Sequence, residues 1–140
     1  MTNNSPVFNQ FGKNIFITGA NSGIGFYSVI KFLETENYLY VPIRSRQRKD
    51  KFINDLKKFY SDNHLKKYLK VIDEIDLSNL ENVHKLKKLF RNESKIFDIF
   101  ILNAGLQYTG ALYPKVSKQG IELTFAVNHL AHFYIINLLN

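Results

Sequence analysis

The 140-residue sequence predicts an α/β fold: an incomplete, doubly wound parallel sheet of about four strands with helices on both faces. Three observations lead there. Short runs rich in β-branched and aromatic residues alternate with longer stretches of helical periodicity, which implies parallel strands joined by right-handed crossovers. The first run, Ile15-Phe16-Ile17, breaks into a glycine-rich turn that opens a helix. The fourth, Phe97-Asp98-Ile99-Phe100-Ile101-Leu102, is nearly continuous in apolar residues, the pattern of a strand covered on both faces. In the strand order 3-2-1-4 the winding reverses between strands 1 and 4, whose carboxyl ends then form the ligand crevice.

Each element has a local reason. Residues 1–11 are polar and Asn-rich, without the apolar stretch or cleavage site of a secretory signal, and read as a flexible tail before one domain over residues 12–140. After the first strand, Phe26, Val29, Ile30 and Leu33 recur at helical spacing, and Glu34 to Asn37 is a polar break. Tyr38 to Ile43 is a second β run. Pro42 removes a ladder donor there, so it belongs at the strand's end or at a bulge. A helix over Gln47 to Tyr60 presents Phe52, Leu56, Phe59 and Tyr60 on one face, and Asp62-Asn63 ends it. Tyr68 to Ile75 is the third β run. Ser78-Asn79-Leu80-Glu81 has the spacing of a capping box, which starts a helix with Leu80, Val83, Leu86 and Phe90 buried and frees Asp76 from capping. Asn103-Ala104-Gly105 ends the fourth strand, and a loop runs from Leu106 to Gln119. The last element, Gly120 to Asn140, is a helix apolar almost all round, which implies burial against more than one partner.

Composition narrows the function. Hydrophobic residues are 45% and charged residues 22%, a globular balance. Without cysteine there is no disulfide or thiolate chemistry, which fits a reducing, cytoplasmic setting. Lys and Arg outnumber Asp and Glu by 19 to 12, a balance that attracts phosphate-bearing ligands. The lysine pairs Lys57-Lys58, Lys66-Lys67 and Lys87-Lys88 fall on outer helix faces without interleaved aromatics, so no nucleic-acid partner is expected. No stretch is long and apolar enough to be a transmembrane segment.

The glycine turn carries the chemistry. Free N–H groups at a helix start make an anion site where no Cβ blocks approach. Gly19 permits the sharp turn, Gly23 close approach of ligand to backbone, and Gly25 close packing of helix on strand. Alone, such a turn is also compatible with an ordinary loop. Thr18, Gly19, Ala20, Asn21, Ser22, Gly23, Ile24 and Gly25 read T-G-x-x-x-G-x-G, which resembles the nucleotide-binding signature of the short-chain dehydrogenase/reductase family, a Rossmann-type fold. Arg44, Ser45 and Arg46 follow strand 2, with no acid before Asp50. An acid there would bind the adenosine ribose hydroxyls, whereas an arginine accepts a 2′-phosphate, so the cofactor expected is NADP(H). The alternative is that both arginines start the second helix facing water.

Further segments extend the resemblance over about residues 12 to 140. Asn103-Ala104-Gly105 is similar to the family's Asn-Ala-Gly signature, which stabilises the sheet and lines the cofactor cleft. Phe125 to Phe133, with Asn128-His129-Leu130-Ala131-His132-Phe133, resembles the Asn-His-Leu-Gly-His-Phe helix of the retinol-dehydrogenase-like and protochlorophyllide-reductase-like branches. Gly120-Ile121-Glu122 resembles their Gly-Phe-Glu. The resemblance implies that Asp76, with Leu77, meets the adenine amino group, and that Asn128 is the catalytic-helix Asn whose carbonyl holds a relay water. Taken alone, Asp76 could be a solvated turn residue and Asn128 a packing residue. His129 and His132, without a nearby acid, read as packing or dimer contacts rather than metal ligands.

The family's Tyr-x-x-x-Lys pair has one spacing match, Tyr27 to Lys31, in the first helix on the phosphate side, which reads as chance. With the fourth strand left at an edge, the chain is expected to be the cofactor-binding half of a longer oxidoreductase. That enzyme would transfer hydride between NADP(H) and a carbonyl, alcohol or activated double bond of a small-molecule substrate, with a homo-oligomer possible through the last helix. The alternatives are a non-catalytic NADP(H)-binding module or an inactive fragment.

Overall fold

The computed structural model describes residues 11–91, 93, 95–107 and 112–139. Most of the expected tail (1–10), part of the long loop (108–111) and Asn140 lie outside the described residues. Strand β1 (Asn14–Thr18) pairs in parallel with β2 (Tyr38–Pro42) on one side and β4 (Ile99–Leu102) on the other. Strand β3 (Leu69–Ile72) adds to β2, giving the order β3-β2-β1-β4. Pro42 is the last residue of β2, where its missing donor interrupts nothing further along the ladder.

Alternation along the strands builds a core on each face. Ile15, Ile17, Leu39 and Val41 face one way and meet Val29, Ile30 and Leu33 of α1 (Gly23–Glu34), Phe52 and Leu56 of α2 (Arg46–Leu56), and Leu65 and Tyr68 of α3 (Asp62–Tyr68). Phe16 and Tyr40 face the other way, against Val83, Leu86 and Phe90 of α4 (Leu80–Arg91). The same core takes in Ala131 and Ile135 from the helical segment that ends the described chain. That segment is a short α5 (Leu123–Phe125), a π turn (Ala126–Leu130) and α6 (Ala131–Leu139). Phe16 is fully buried, its ring 5.5 to 6.2 Å from those of Phe90, Phe97 and Phe100. Each buried side chain of this size contributes about 1.5–3 kcal/mol.

Four local expectations are corrected. The second helix stops at Leu56, and Asp62-Asn63, read as a terminator, instead opens α3, because the Ser61 hydroxyl accepts from His64 N–H and Leu65 and Tyr68 are buried. Strand β3 is shorter than Tyr68 to Ile75: Tyr68 completes α3, and Glu74 at φ 60° kinks the chain before Ile75 N–H rejoins Ile43 O at 3.0 Å. Strand β4 starts at Ile99 and lies at the sheet edge, with Ile99 and Leu102 nearly two-fifths exposed rather than covered on both faces. The Ser78 to Glu81 capping box does not form. Ser78 N–H and Oγ–H both donate to Asp76, while the Asn79 carboxamide oxygen accepts from Glu81 N–H and the Asn79 carbonyl from Val83 N–H, so Asn79 is the cap. Replacing Asn79 with alanine is expected to cost about 1 kcal/mol in urea unfolding, and the same change at Ser78 clearly less.

Candidate functional site

At the carboxyl ends of the strands lies a cleft of about 470 Å³. Its lining gathers Gly19, Asn21, Ser22, Arg44, Asp76, Leu77, Asn103, Ala104 and Gly105, residues scattered over the chain that the parallel winding brings together. Pro42, Ile43, Ile75, Leu106, Leu123 and Val127 supply apolar wall, and Arg48 and Ser78 add polar groups the linear reading did not assign to the site. Thr18 is buried, Gly23 and Ile24 are exposed and outside the lining, and Gly25 is buried against the turn.

The corner is held open by backbone contact. Gly19 has φ 66°, and a Cβ there would sit 2.7 Å from Ala104 Cα; one on Gly25 would sit 2.2 Å from Gly19 O. Asn103 Nδ2 donates to both Thr18 O and Gly19 O at 3.2 Å, tying the end of β4 to the turn. Ser22 enters α1 in extended conformation without a side-chain cap, and the first bond into the helix runs from Phe26 N–H to Ser22 O. Among the described residues, no amide from Ser22 to Gly25 donates to a protein acceptor. A Cβ on Gly23 would meet nothing within 4 Å. Uncommitted amides, the positive end of the helix dipole and the open space beside Gly23 suit an anion.

Across the cleft, two arginines and one acid are set apart. Arg44 follows β2 and Arg48 lies one turn into α2, whose cap is Ser45 Oγ accepting from Arg48 N–H. Arg44 precedes the extended cap Ser45 and Arg48 follows it, so it is the fold that brings both to the same wall. Arg46 is not in the lining. It contributes instead to the field at Asp73, whose carboxyl is pushed up by burial yet held net below its usual value by Lys49 at 3.2 Å, its own amide and Arg46. Asp76 spends one carboxylate oxygen on Ser78 and lines the cleft beside Leu77.

Asn128 is exposed, and its carboxamide clamps the Leu106 backbone, accepting from N–H at 2.8 Å and donating to O at 2.9 Å. His129 and His132 part company. His129 sits exposed between the rings of Phe125 and Phe133, whereas His132 is buried and bonded to Thr18. Among the described residues no three His, Cys, Asp or Glu side chains could share a metal ion, and no helix is long and apolar enough to cross a membrane. Tyr27, two-thirds exposed on α1, belongs to a helix that approaches the cleft only by its N-terminus.

Burial lowers the His132 pKa, opposed by its bond to the Asn128 carbonyl and aided by the charge of His129. Above the unfolded histidine value of about 6.5 the ring is neutral in both states and costs nothing; below it the unfolded chain takes up a proton that the native site resists. Stability from this residue is therefore expected to be lost as pH falls from about 6.5 through the lowered native value, by up to about 1.4 kcal/mol per pH unit. Urea midpoints at pH 7.5 and 5.5 check this, with His132→Phe losing the part of the fall that belongs to this ring.

Comparison with known proteins gives three kinds of result. The family model described as short chain dehydrogenase matches residues 13–139. The WW domain-containing oxidoreductase of Gallus gallus is 32% identical over 131 residues, covering 91% of this chain and 29% of that protein. Retinol dehydrogenase 14 of Mus musculus is 31% identical over 138 residues, covering 91% and 39%. The chain thus spans well under half the length of these relatives. Among solved structures, the Pseudomonas aeruginosa RhlG/NADP complex superposes with a TM-score of 0.69 at 24% identity, over 92% of this chain and 47% of that one. 4-hydroxyisoleucine dehydrogenase complexed with NADH superposes with a TM-score of 0.68 at 30% identity, over 90% and 47%.

Proposed function

The chain belongs to the short-chain dehydrogenase family, and from that premise we propose that it is the NADP(H)-binding portion of an oxidoreductase acting on a small-molecule carbonyl, alcohol or activated double bond. The single observation that carries this reading is the glycine corner, where amides from Ser22 to Gly25 are uncommitted beside a cleft lined by Ser22, Arg44 and Arg48. In that cleft the amides of Ser22 to Gly25 would hold the pyrophosphate, with Thr18, Gly19 and Asn21 shaping the turn. Arg44 and Arg48 would take the 2′-phosphate, Asp76 and Leu77 the adenine, and Asn103, Ala104 and Gly105 the wall nearer the nicotinamide. Bound there, the nicotinamide supplies hydride chemistry.

In keeping with the family resemblance, Asn128 would be the catalytic-helix Asn, whose carbonyl, besides accepting from His132 Nδ1–H, would hold a relay water. A proton donor is a separate requirement, and Tyr27 with Lys31 does not meet it, because both lie on α1 outside the cleft lining. We therefore expect the chain to bind dinucleotide without turning over.

Titration of the chain with NADPH and NADH, followed by reduced-nicotinamide fluorescence, tests this. Saturable binding with NADPH preferred, and no oxidation of NADPH with carbonyl substrates, is the expected result. Failure to bind either dinucleotide by a folded chain overturns the cofactor reading, and turnover overturns the account of the missing proton donor.

A further inference from the structure

Under the cleft floor, His132 is 6% exposed and both of its ring nitrogens are engaged. Nδ1 lies 3.1 Å from the main-chain carbonyl of Asn128, and Nε2 lies 2.9 Å from Thr18 Oγ1. A carbonyl oxygen can only accept, so Nδ1 carries the proton. Burial disfavours the imidazolium, so Nε2 is bare and accepts from the Thr18 hydroxyl. With its hydrogen directed at the ring, Thr18 Oγ1 turns a lone pair to Ala104 N–H at 3.0 Å. The chain of donors runs in one direction: Ala104 N–H to Thr18 Oγ1, Thr18 O–H to His132 Nε2, and His132 Nδ1–H to Asn128 O. Asn128 in turn grips Leu106 at both backbone groups.

We propose that His132 is a positioning residue: its Nδ1–H tautomer ties the Thr18 hydroxyl at the end of β1 to the Asn128 carbonyl in the π turn, and so sets where the π turn, with Leu106 in the grip of Asn128, sits against the glycine corner and its Thr18–Ala104 bond. Thr18 and His132 are 114 residues apart, and while the β1–β4 ladder and the bonds of Asn103 and Ala104 hold the end of β4 to the turn, the ring joins the π turn to that corner. A phenyl ring at position 132 would fill much of the same volume. It would also leave the Thr18 hydroxyl without its acceptor and the Asn128 carbonyl without the ring donor. The tether deepens the reading of this cleft as a dinucleotide site and rests on it only for the consequence in cofactor affinity.

Nuclear magnetic resonance on the full, ¹⁵N-labelled chain without cofactor tests the tether first. Long-range ¹H–¹⁵N correlations at neutral pH are expected to show His132 as the Nδ1–H tautomer, unchanged in Thr18→Ser, which keeps the hydroxyl. The Nε2–H tautomer, or an averaging pair, overturns the proposal. In His132→Phe, amide exchange at Ala104 and Leu106 is expected to quicken about tenfold while Val29 in the far core is unaffected. Equal acceleration at all three, the signature of a merely structural residue, overturns it too. Should His132→Phe not fold, the tautomer in the unaltered chain and in Thr18→Ser still decides the matter. NADPH affinity of folded His132→Phe is expected to fall roughly five- to tenfold. If the unaltered chain binds no dinucleotide while tautomer and exchange behave as stated, the tether stands and the cofactor reading falls.

Discussion

Gly25→Ala is expected to lose about 3 kcal/mol or more of stability and, in whatever fraction stays folded, its dinucleotide affinity. An added Cβ would lie 2.2 Å from Gly19 O, 2.9 Å from Gly19 C and 2.7 Å from Asn103 Nδ2. Two of these are backbone atoms of the turn itself, and Asn103 is held by two bonds to that same turn, so no flexible side chain can swing away. Alanine has the better helix propensity by about 1 kcal/mol, which offsets part of the loss. The steric term wins because the helix must slide bodily outward, carrying the amides of Ser22 to Gly25 away from the corner they open. Gly23→Ala is the control: its Cβ would meet nothing within 4 Å, so only the cost of φ 54° remains, about 1–2 kcal/mol. Urea unfolding of both variants checks the ranking, and a Gly25→Ala chain as stable as the parent would mean that helix and turn are not in contact.

Arg44→Asp is expected to reverse the cofactor preference, shifting the NADPH to NADH affinity ratio by about a hundredfold. A charge-assisted bond to phosphate is worth about 1.5–3 kcal/mol, and each 1.4 kcal/mol is a factor of ten. The new carboxylate also repels a 2′-phosphate and can accept from ribose hydroxyls. Because Arg48 lines the same wall, it retains part of the phosphate affinity, so Arg48→Ala alone is expected to cost NADPH binding about tenfold and leave NADH unchanged. Arg46→Ala, on the Asp73 side of α2, is expected to leave the ratio where it was. Parallel titrations with both dinucleotides at fixed salt measure all three. An unaltered ratio in Arg44→Asp would show that this arginine only faces water and starts α2.

Most of the architecture was legible in linear order because it depends on periodicity. The apolar runs of β1 and β2 and the stripes of α1 and α4 are written by local spacing, β–α alternation implies parallel strands with crossovers of one hand, and the order of strands followed from the doubly wound pattern these imply. The glycine corner was legible for a related reason, since a sharp turn at a strand end needs particular residue types at fixed separations, whereas Asn103 to Gly105 stood out by its resemblance to the family signature and Arg44 by its place after strand 2. Local spacing failed where two local options compete. Ser61 could cap a helix or trail one, and Asn79 and Ser78 could each start α4; burial of Leu65 and Tyr68 favoured the first cap, and the bonds of Ser78 to Asp76 left the second to Asn79.

Only the folded chain decided the rest. Arg48 faces the cleft and Arg46 does not because of how α2 is rotated against the sheet, a matter of Phe52 and Leu56 packing rather than of charge. His132 looked like a packing residue, and it is one only in part, since its partners come from β1 and from the π turn. Periodicity records which face of an element is apolar, an average over many residues. A single hydrogen bond between side chains far apart in sequence leaves no such average, and it exists only once two independently specified elements have been docked.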